Sequence, residues 1–266
     1  MSTTHRPRPA VDHSLAFRVR EVAATRPFDW LARGWIDLRR CPLPGLLHGS
    51  AVALFGALLI ALARDRFWLL AGAFSGFLIV APIVATGLYH TSRELERGHT
   101  PTLREVLAVW RPGDGRLVVF GLLLALAGTG WVLTSASLIT GFAGAPVRNP
   151  AEFVHNVVLN ERGYLFEAWL ALGGVLAAPV FASSVVAIPL LLDRRIGVLA
   201  AVLTSWRVVL ANPAPMAVWA GLLMGLSLLG MATMLVGLVG VVPWLAHASW
   251  HAYRDLVEAP SAETQP

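Results

Sequence analysis

Long uncharged runs alternate along this chain with short segments rich in arginine. Four runs, Pro44–Ala63, Phe67–Thr91, Leu117–Gly141 and Tyr164–Leu192, are almost free of formal charge. Each is long enough to cross a hydrocarbon core, for which about 20 helical residues suffice. A fifth stretch, Pro213–Ala252, has no formal charge over 40 residues, too long for one ordinary span. It divides into two with a tight turn near Gly230–Met234, which brings the expected number of spans to six.

The polar intervals have their own period. LREVLAVWR (Leu103–Arg111) and LAAVLTSWR (Leu199–Arg207) match at Leu, Val, Leu, Trp and Arg, 96 residues apart. Each places apolar residues at i, i+3, i+4 and i+7, one face of a helix. A third segment, DWLARGWIDLRRCPLP, carries Trp35 seven residues before Pro42 and nine before Pro44, the intervals that separate Trp206 from Pro213 and Pro215. Helices apolar on one side with tryptophan at the boundary lie in a membrane interface, so Trp35, Trp110 and Trp206 are read as interfacial anchors. The predicted fold is all-α and polytopic: three units, about 27–98, 102–195 and 198–257, each an interfacial helix followed by a helical hairpin. Residues 1–24 and 259–266 are expected to be disordered, flanking a transmembrane domain at 25–258. Thr102 and Glu105, with Pro101 ahead, predict a capping box that opens the second interfacial helix. Asn212 and Pro213 predict the end of the third.

Composition agrees with a membrane solvent: 56% hydrophobic and 14% charged, against roughly 25% charged in a soluble domain. All 21 basic residues are arginine. Seventeen fall on one side of the predicted topology and four (Arg64, Arg66, Arg148, Arg162) on the other. By the positive-inside rule both termini are cytoplasmic, in a bacterial inner membrane. The net charge of +5 then points to an anionic cytoplasmic leaflet as partner. Nucleic acid is not expected, because no soluble domain interleaves basic and stacking aromatic residues. The N-terminal segment lacks the apolar region of a signal peptide. The single cysteine, Cys41, excludes an internal disulfide and a CxxC metal motif.

A further repeat carries the candidate chemistry. PIVATGLYHTSRE (Pro82–Glu94) and PWLAHASWHAYRD (Pro243–Asp255) share one register, 161 residues apart, aligning Pro82 with Pro243, His90 with His251 and Arg93 with Arg254. His247 is four residues before His251 and on the same helical face. At the cytoplasmic ends of two spans, these residues act as headgroup-level anchors, with histidine bonding the last open carbonyls. Alternatively His90, His251 and His247 clasp a haem or a metal ion, imidazole being a good ligand for both. Otherwise no cofactor is expected.

The span centres lack the buried acid, histidine or arginine that marks an ion pathway. They are instead rich in small residues that allow close helix packing: Gly121, Gly128, Gly130, Ser135, Gly173, Gly174, Gly221, Gly225 and Gly230. The outer loop, Phe142–Gly163, is read as solvated. No nucleophile-elbow, zinc-protease or phosphate-loop motif is present.

At VAIPLLLDRRIGVLAAVLTSWRVVLANPAPMAVW and PWLAHASWHAYRDLV the sequence resembles a bacterial integral-membrane family known as domain of unknown function 2189, over about Trp35 to Val257. The resemblance implies a six-span inner-membrane protein without an established activity. Some members carry the label cytochrome c oxidase subunit I, which implies an accessory or assembly role near a respiratory complex. The expected function is therefore a non-enzymatic scaffold, accessory or assembly factor with a membrane-protein partner. The alternative is a channel or carrier for a small neutral solute.

Overall fold

The computed structural model describes residues 9–62, 85–109, 115–159 and 164–258. In chain order these form α1 (Ala10–Leu15), β1 (Arg18–Val19), α2 (Arg26–Arg40), α3 (Pro42–Leu62) and α4, helical over 85–96. Then follow α5 (Leu103–Ala108), α6 (Gly115–Phe142), α7 (Pro150–Phe153), which continues as a π-helical turn Val154–Val158, and α8 (Leu165–Ser184). The last elements are α9 (Ala187–Asp193), α10 (Val198–Ala211), α11 (Pro213–Ala232), α12 (Leu238–Leu256) and β2 (Val257–Glu258). The protein is an all-α, polytopic membrane protein.

Among the described residues four helical stretches are long and apolar enough to cross a membrane: Pro42–Ala61, Gly115–Phe142, Leu165–Asp193 and Pro213–Ala232. Most of the expected second span, with Pro82, lies outside the described residues, as does Trp110. The expected sixth span is α12, which is not among the four. It carries Trp244, His247, Trp250, His251, Arg254 and Asp255, and much of it is buried. The turn between α11 and α12 falls at 233–237, slightly later than Gly230–Met234.

Local chemistry explains the boundaries. Pro27 opens α2, Asp29 lies in its first turn, and Arg39 and Arg40 lie in its last, each complementing the helix dipole. The predicted capping box is present: the Thr102 hydroxyl accepts from the Glu105 backbone N–H, and Thr102 N donates to Glu105 Oε2 at 2.6 Å. The expected fourth span is interrupted between α8 and α9. Pro189 has no N–H to offer the carbonyl of Val185 four residues back, and at the same turn Val186 N donates to Ser205 Oγ on α10 at 3.2 Å.

The N-terminal segment differs from expectation. Residues 9–24, expected to be disordered, form α1 and β1. Arg207 on α10 donates to the Phe17 carbonyl (3.2 Å) and to that of Ser14, and Thr204 donates to Ser14 Oγ at 3.0 Å. β1 pairs antiparallel with β2, Arg18 opposite Glu258 and Val19 opposite Val257. Asn212, expected to end a helix, also fastens this segment: its Oδ1 accepts from Val22 N (2.9 Å) and its Nδ2 donates to Arg20 O (3.0 Å).

The core lies at the end of the bundle where these terminal segments meet. Trp30, Trp219 and Trp250 are fully enclosed there, with Trp30 and Trp219 edge to face at 5.6 Å. α2 buries Trp30, Leu31, Gly34, Asp37 and Leu38, one face at helical spacing. Its other face leaves Phe28, Trp35 and Ile36 exposed. Trp35 packs edge to face on Trp244 at 5.5 Å, and Trp206 donates to Ser183 Oγ at 2.9 Å.

α2 comes close to the α12 backbone at Gly34, where a Cβ would stand 2.5 Å from Ala248 N. Among the described residues, Gly173 and Gly230 of the spans do face neighbours, whereas a Cβ at Gly130, Gly174, Gly221 or Gly225 would meet nothing within 4 Å. Gly34→Ala is therefore expected to cost about 1–3 kcal/mol through overpacking against backbone. Gly221→Ala should leave stability unchanged or slightly raised. Thermal unfolding of both variants in detergent checks this.

Candidate functional site

The packing of α2, α4 and α12 brings four polar side chains together inside the protein. Asp37, Ser92, His247 and His251 are all buried. Ser92 Oγ donates to Asp37 Oδ2 at 2.7 Å and lies 2.8 Å from His247 Nδ1. Its one hydrogen is committed to Asp37, so His247 Nδ1 is assigned as the donor in the second contact. His251 Nε2 lies 2.8 Å from the same Asp37 oxygen and donates to it. The other ring nitrogen, Nδ1, is 3.6 Å from Glu96 Oε1, while Glu96 Oε2 takes Arg254 Nε at 3.2 Å. His247 Nε2 is enclosed without a hydrogen-bond partner among the described residues. His48 on α3 is also buried and uses Nδ1 on the carbonyl of Pro44 at 2.6 Å.

A second polar cluster adjoins the first. Asp255 accepts from Arg26 Nε (2.7 Å), Trp30 Nε1 (2.8 Å) and Arg33 Nη2 (2.5 Å), all on its Oδ2. Burial pushes this carboxyl's pKa up, but the bonds from Arg26, Arg33 and Trp30 outweigh burial and hold it below the usual aspartate value. Tyr253 OH donates to Asp193 Oδ2 at 2.7 Å. The last turns of α12 thus reach α2, α4 and α9 at once.

The two aligned copies behave differently. In the α12 copy His251, Arg254 and Asp255 all bond to other helices. In the α4 copy the aligned His90, Arg93 and Glu94 make local pairs: Arg93 Nη2 with His90 Nδ1 (3.1 Å), Arg93 with Glu94 (3.5 Å), and Arg97 with Glu94 (3.0 Å). His90 is therefore outside the buried network, and the structure unites His251 with His247 rather than with His90. Pro243 is buried within α12. Among the described residues no group of three or more His, Cys, Asp or Glu side chains is arranged to hold a metal ion. Asp37, Ser92 and Glu96 were not singled out by sequence. Asp37 carried a usable signal, being an acid in register with Trp30, Gly34 and Leu38 on the apolar face of α2. Ser92 and Glu96 had none, because their roles depend on where α12 docks.

Ser92→Ala should destabilise the protein by about 1–3 kcal/mol, since it leaves His247 Nδ1 and one Asp37 bond unmet in the interior; unfolding in detergent measures it. For Asp255 the folded pKa is depressed. Its stabilising contribution is present above the ordinary value of 3.8 and is lost as pH falls through the folded value. The stability gap between wild type and Asp255→Asn should accordingly be full at neutral pH and close on acidification below about pH 4. A gap independent of pH would contradict the ion-pair account.

Residues 69–193 match a family model described as "Predicted integral membrane protein (DUF2189)". No curated protein and no solved structure matches the chain. The matched region includes Ser92 and Glu96 and ends with α9. It contains the first stretch of the resemblance only as far as Asp193, and it does not reach Asp37, His247 or His251. Over residues 69–193, a little under half of its length, the chain is similar to the predicted integral membrane proteins of DUF2189.

Proposed function

We propose that this protein is a non-enzymatic membrane scaffold, an accessory or assembly factor for another membrane protein. It would sit in a bacterial inner membrane with both termini cytoplasmic, as the arginine distribution favours. The observation that carries the reading is the open face of α11. Gly221 and Gly225 stand one helical turn apart, and a Cβ on either would meet nothing within 4 Å among the described residues. In lipid, apolar burial does not drive helix association, and small residues that admit a neighbouring backbone do much of that work. Glycines at this spacing that the described residues do not fill support packing by a partner's helix. The buried groups fit the same reading: Asp37, Ser92 and His251 are engaged with one another and hold α2, α4 and α12 as a fixed base. The respiratory label of some family members makes a respiratory complex the first partner to test.

A channel or carrier for a small neutral solute is the second reading. It is favoured by a cavity of about 230 Å³ between α6, α8 and α10, walled by Phe120, Leu124, Pro179, Val180 and Ser183.

The double variant Gly221→Leu/Gly225→Leu separates the two. It should fold normally, because the added side chains displace none of the described residues, yet co-migration with the partner in native electrophoresis of membranes should fall about ten-fold, equivalent to ~1.4 kcal/mol. Unchanged co-migration, or solute flux in proteoliposomes without any partner, would contradict the scaffold reading.

A further inference from the structure

A second cavity, of about 460 Å³, opens beside α4 and contains none of the buried network. Its lining is mixed in an ordered way: His90, Arg93 and Glu94 from α4, His99 from the following turn, Glu105, Ala108 and Val109 at α5, and Leu192 at the end of α9. All of these lie within the family-matched region. The turn is set by Gly98, whose φ of +80° suits glycine. It folds His99 back so that its N–H donates to the Glu94 carbonyl at 2.9 Å.

The site has both signs of charge with bonding capacity left over. Arg93 gives one Nη2 bond to His90 at 3.1 Å, while its Nε is enclosed, 3.5 Å from Glu94 Oε1, so a ligand in the cavity would meet the outer end of the guanidinium. Glu94 Oε1 also takes Arg97. Glu105 Oε2 takes Thr102 and lies 3.6 Å from His99. Glu94 Oε2 and Glu105 Oε1 accept none of these bonds. One wall is apolar, formed by Ala108, Val109 and Leu192.

We infer that this cavity binds the headgroup of a phospholipid bearing a primary ammonium, phosphatidylethanolamine. The phosphodiester is matched by Arg93 with His90 Nε2, the ring nitrogen that does not accept from Arg93, and a ring N–H of His99. The ammonium, with three donors, is matched by Glu94 and Glu105, and the acyl chains leave over the apolar wall. A purely anionic headgroup would face two carboxylates with no cation to offer them. A choline headgroup has the charge but no N–H to donate. The volume is within the range of built small-molecule sites, about 300–1,000 Å³. This site goes beyond the scaffold reading and depends only on the protein being embedded in lipid.

The test is lipid retention. The full chain is reconstituted in mixed nanodiscs of phosphatidylethanolamine, phosphatidylcholine and phosphatidylglycerol with identical acyl chains, then released and scored by native mass spectrometry. Wild type should retain the ethanolamine lipid over the choline lipid by about ten-fold. Glu105→Gln with Glu94→Gln should bring that ratio close to one. Glutamine preserves the capping box, so Glu105→Gln alone is a folded variant that should lower the ratio partway even if other variants fail to fold. Arg93→Gln should reduce retention of both lipids. Equal retention of ethanolamine and choline lipids by wild type, preferential retention of phosphatidylglycerol, or an unchanged ratio in Glu105→Gln would overturn the assignment. So would displacement of the lipid by water-soluble glycerophosphoethanolamine at equal concentration, which would make the ligand a free solute.

Discussion

One carboxylate oxygen organises the enclosed end of this protein. Asp37 Oδ2 accepts from Ser92 at 2.7 Å and from His251 at 2.8 Å, and so joins α2, α4 and α12 at a single point. A buried carboxylate is tolerated only when its bonds are satisfied, because the cost of removing it from water is several kcal/mol after relaxation. The donors come from two different helices, so the charge is stable only when both are docked. This converts a polar group, unfavourable by itself, into a condition on the assembly of three elements.

The surrounding packing serves that condition. Gly34 lets the α12 backbone come close enough for His251 to reach Asp37. Trp244 donates to the carbonyl of Leu31 at 2.7 Å, fixing the same pair of helices one turn away. On the far side Asp255 gathers Arg26, Trp30 and Arg33, so α12 is held to α2 along its last three turns by directional bonds as well as by the tryptophan core. The β1–β2 pair and Asn212 then bind the N-terminal segment over this base. By contrast, the long helices α6, α8 and α11 carry apolar side chains outward, the arrangement expected where lipid is the solvent.

Much of this fold was legible in the sequence where short-range chemistry decides it. The capping box at Thr102 and Glu105 follows from side-chain reach over one turn, and the apolar runs from the length of helix needed to cross a membrane. The buried network was less legible. His247 and His251 are visible as an i, i+4 pair, but their partners come from positions 155 and 214 residues away, and no local period encodes such a meeting. The repeat left the partners of its two copies open for a related reason. Aligned residues occupy equivalent places on their helices, yet the α12 copy meets α2 whereas His90 of the α4 copy faces an open cavity. The small residues show the same limit, since spacing marks a helix face as able to pack but not what it packs against: a Cβ at Gly173 would stand 3.0 Å from Trp131, while one at Gly221 would meet none of the described residues.

The most direct test is a double-mutant cycle between Asp37 and His251, using Asp37→Asn, His251→Gln and the double variant, read as unfolding free energy in detergent at neutral pH. A shared buried bond predicts a coupling energy of about 1–3 kcal/mol, with the double variant less damaged than the sum of the single variants. Additivity to within about 0.5 kcal/mol would mean that the two residues act independently, and that Asp37 is not the point on which the three helices depend.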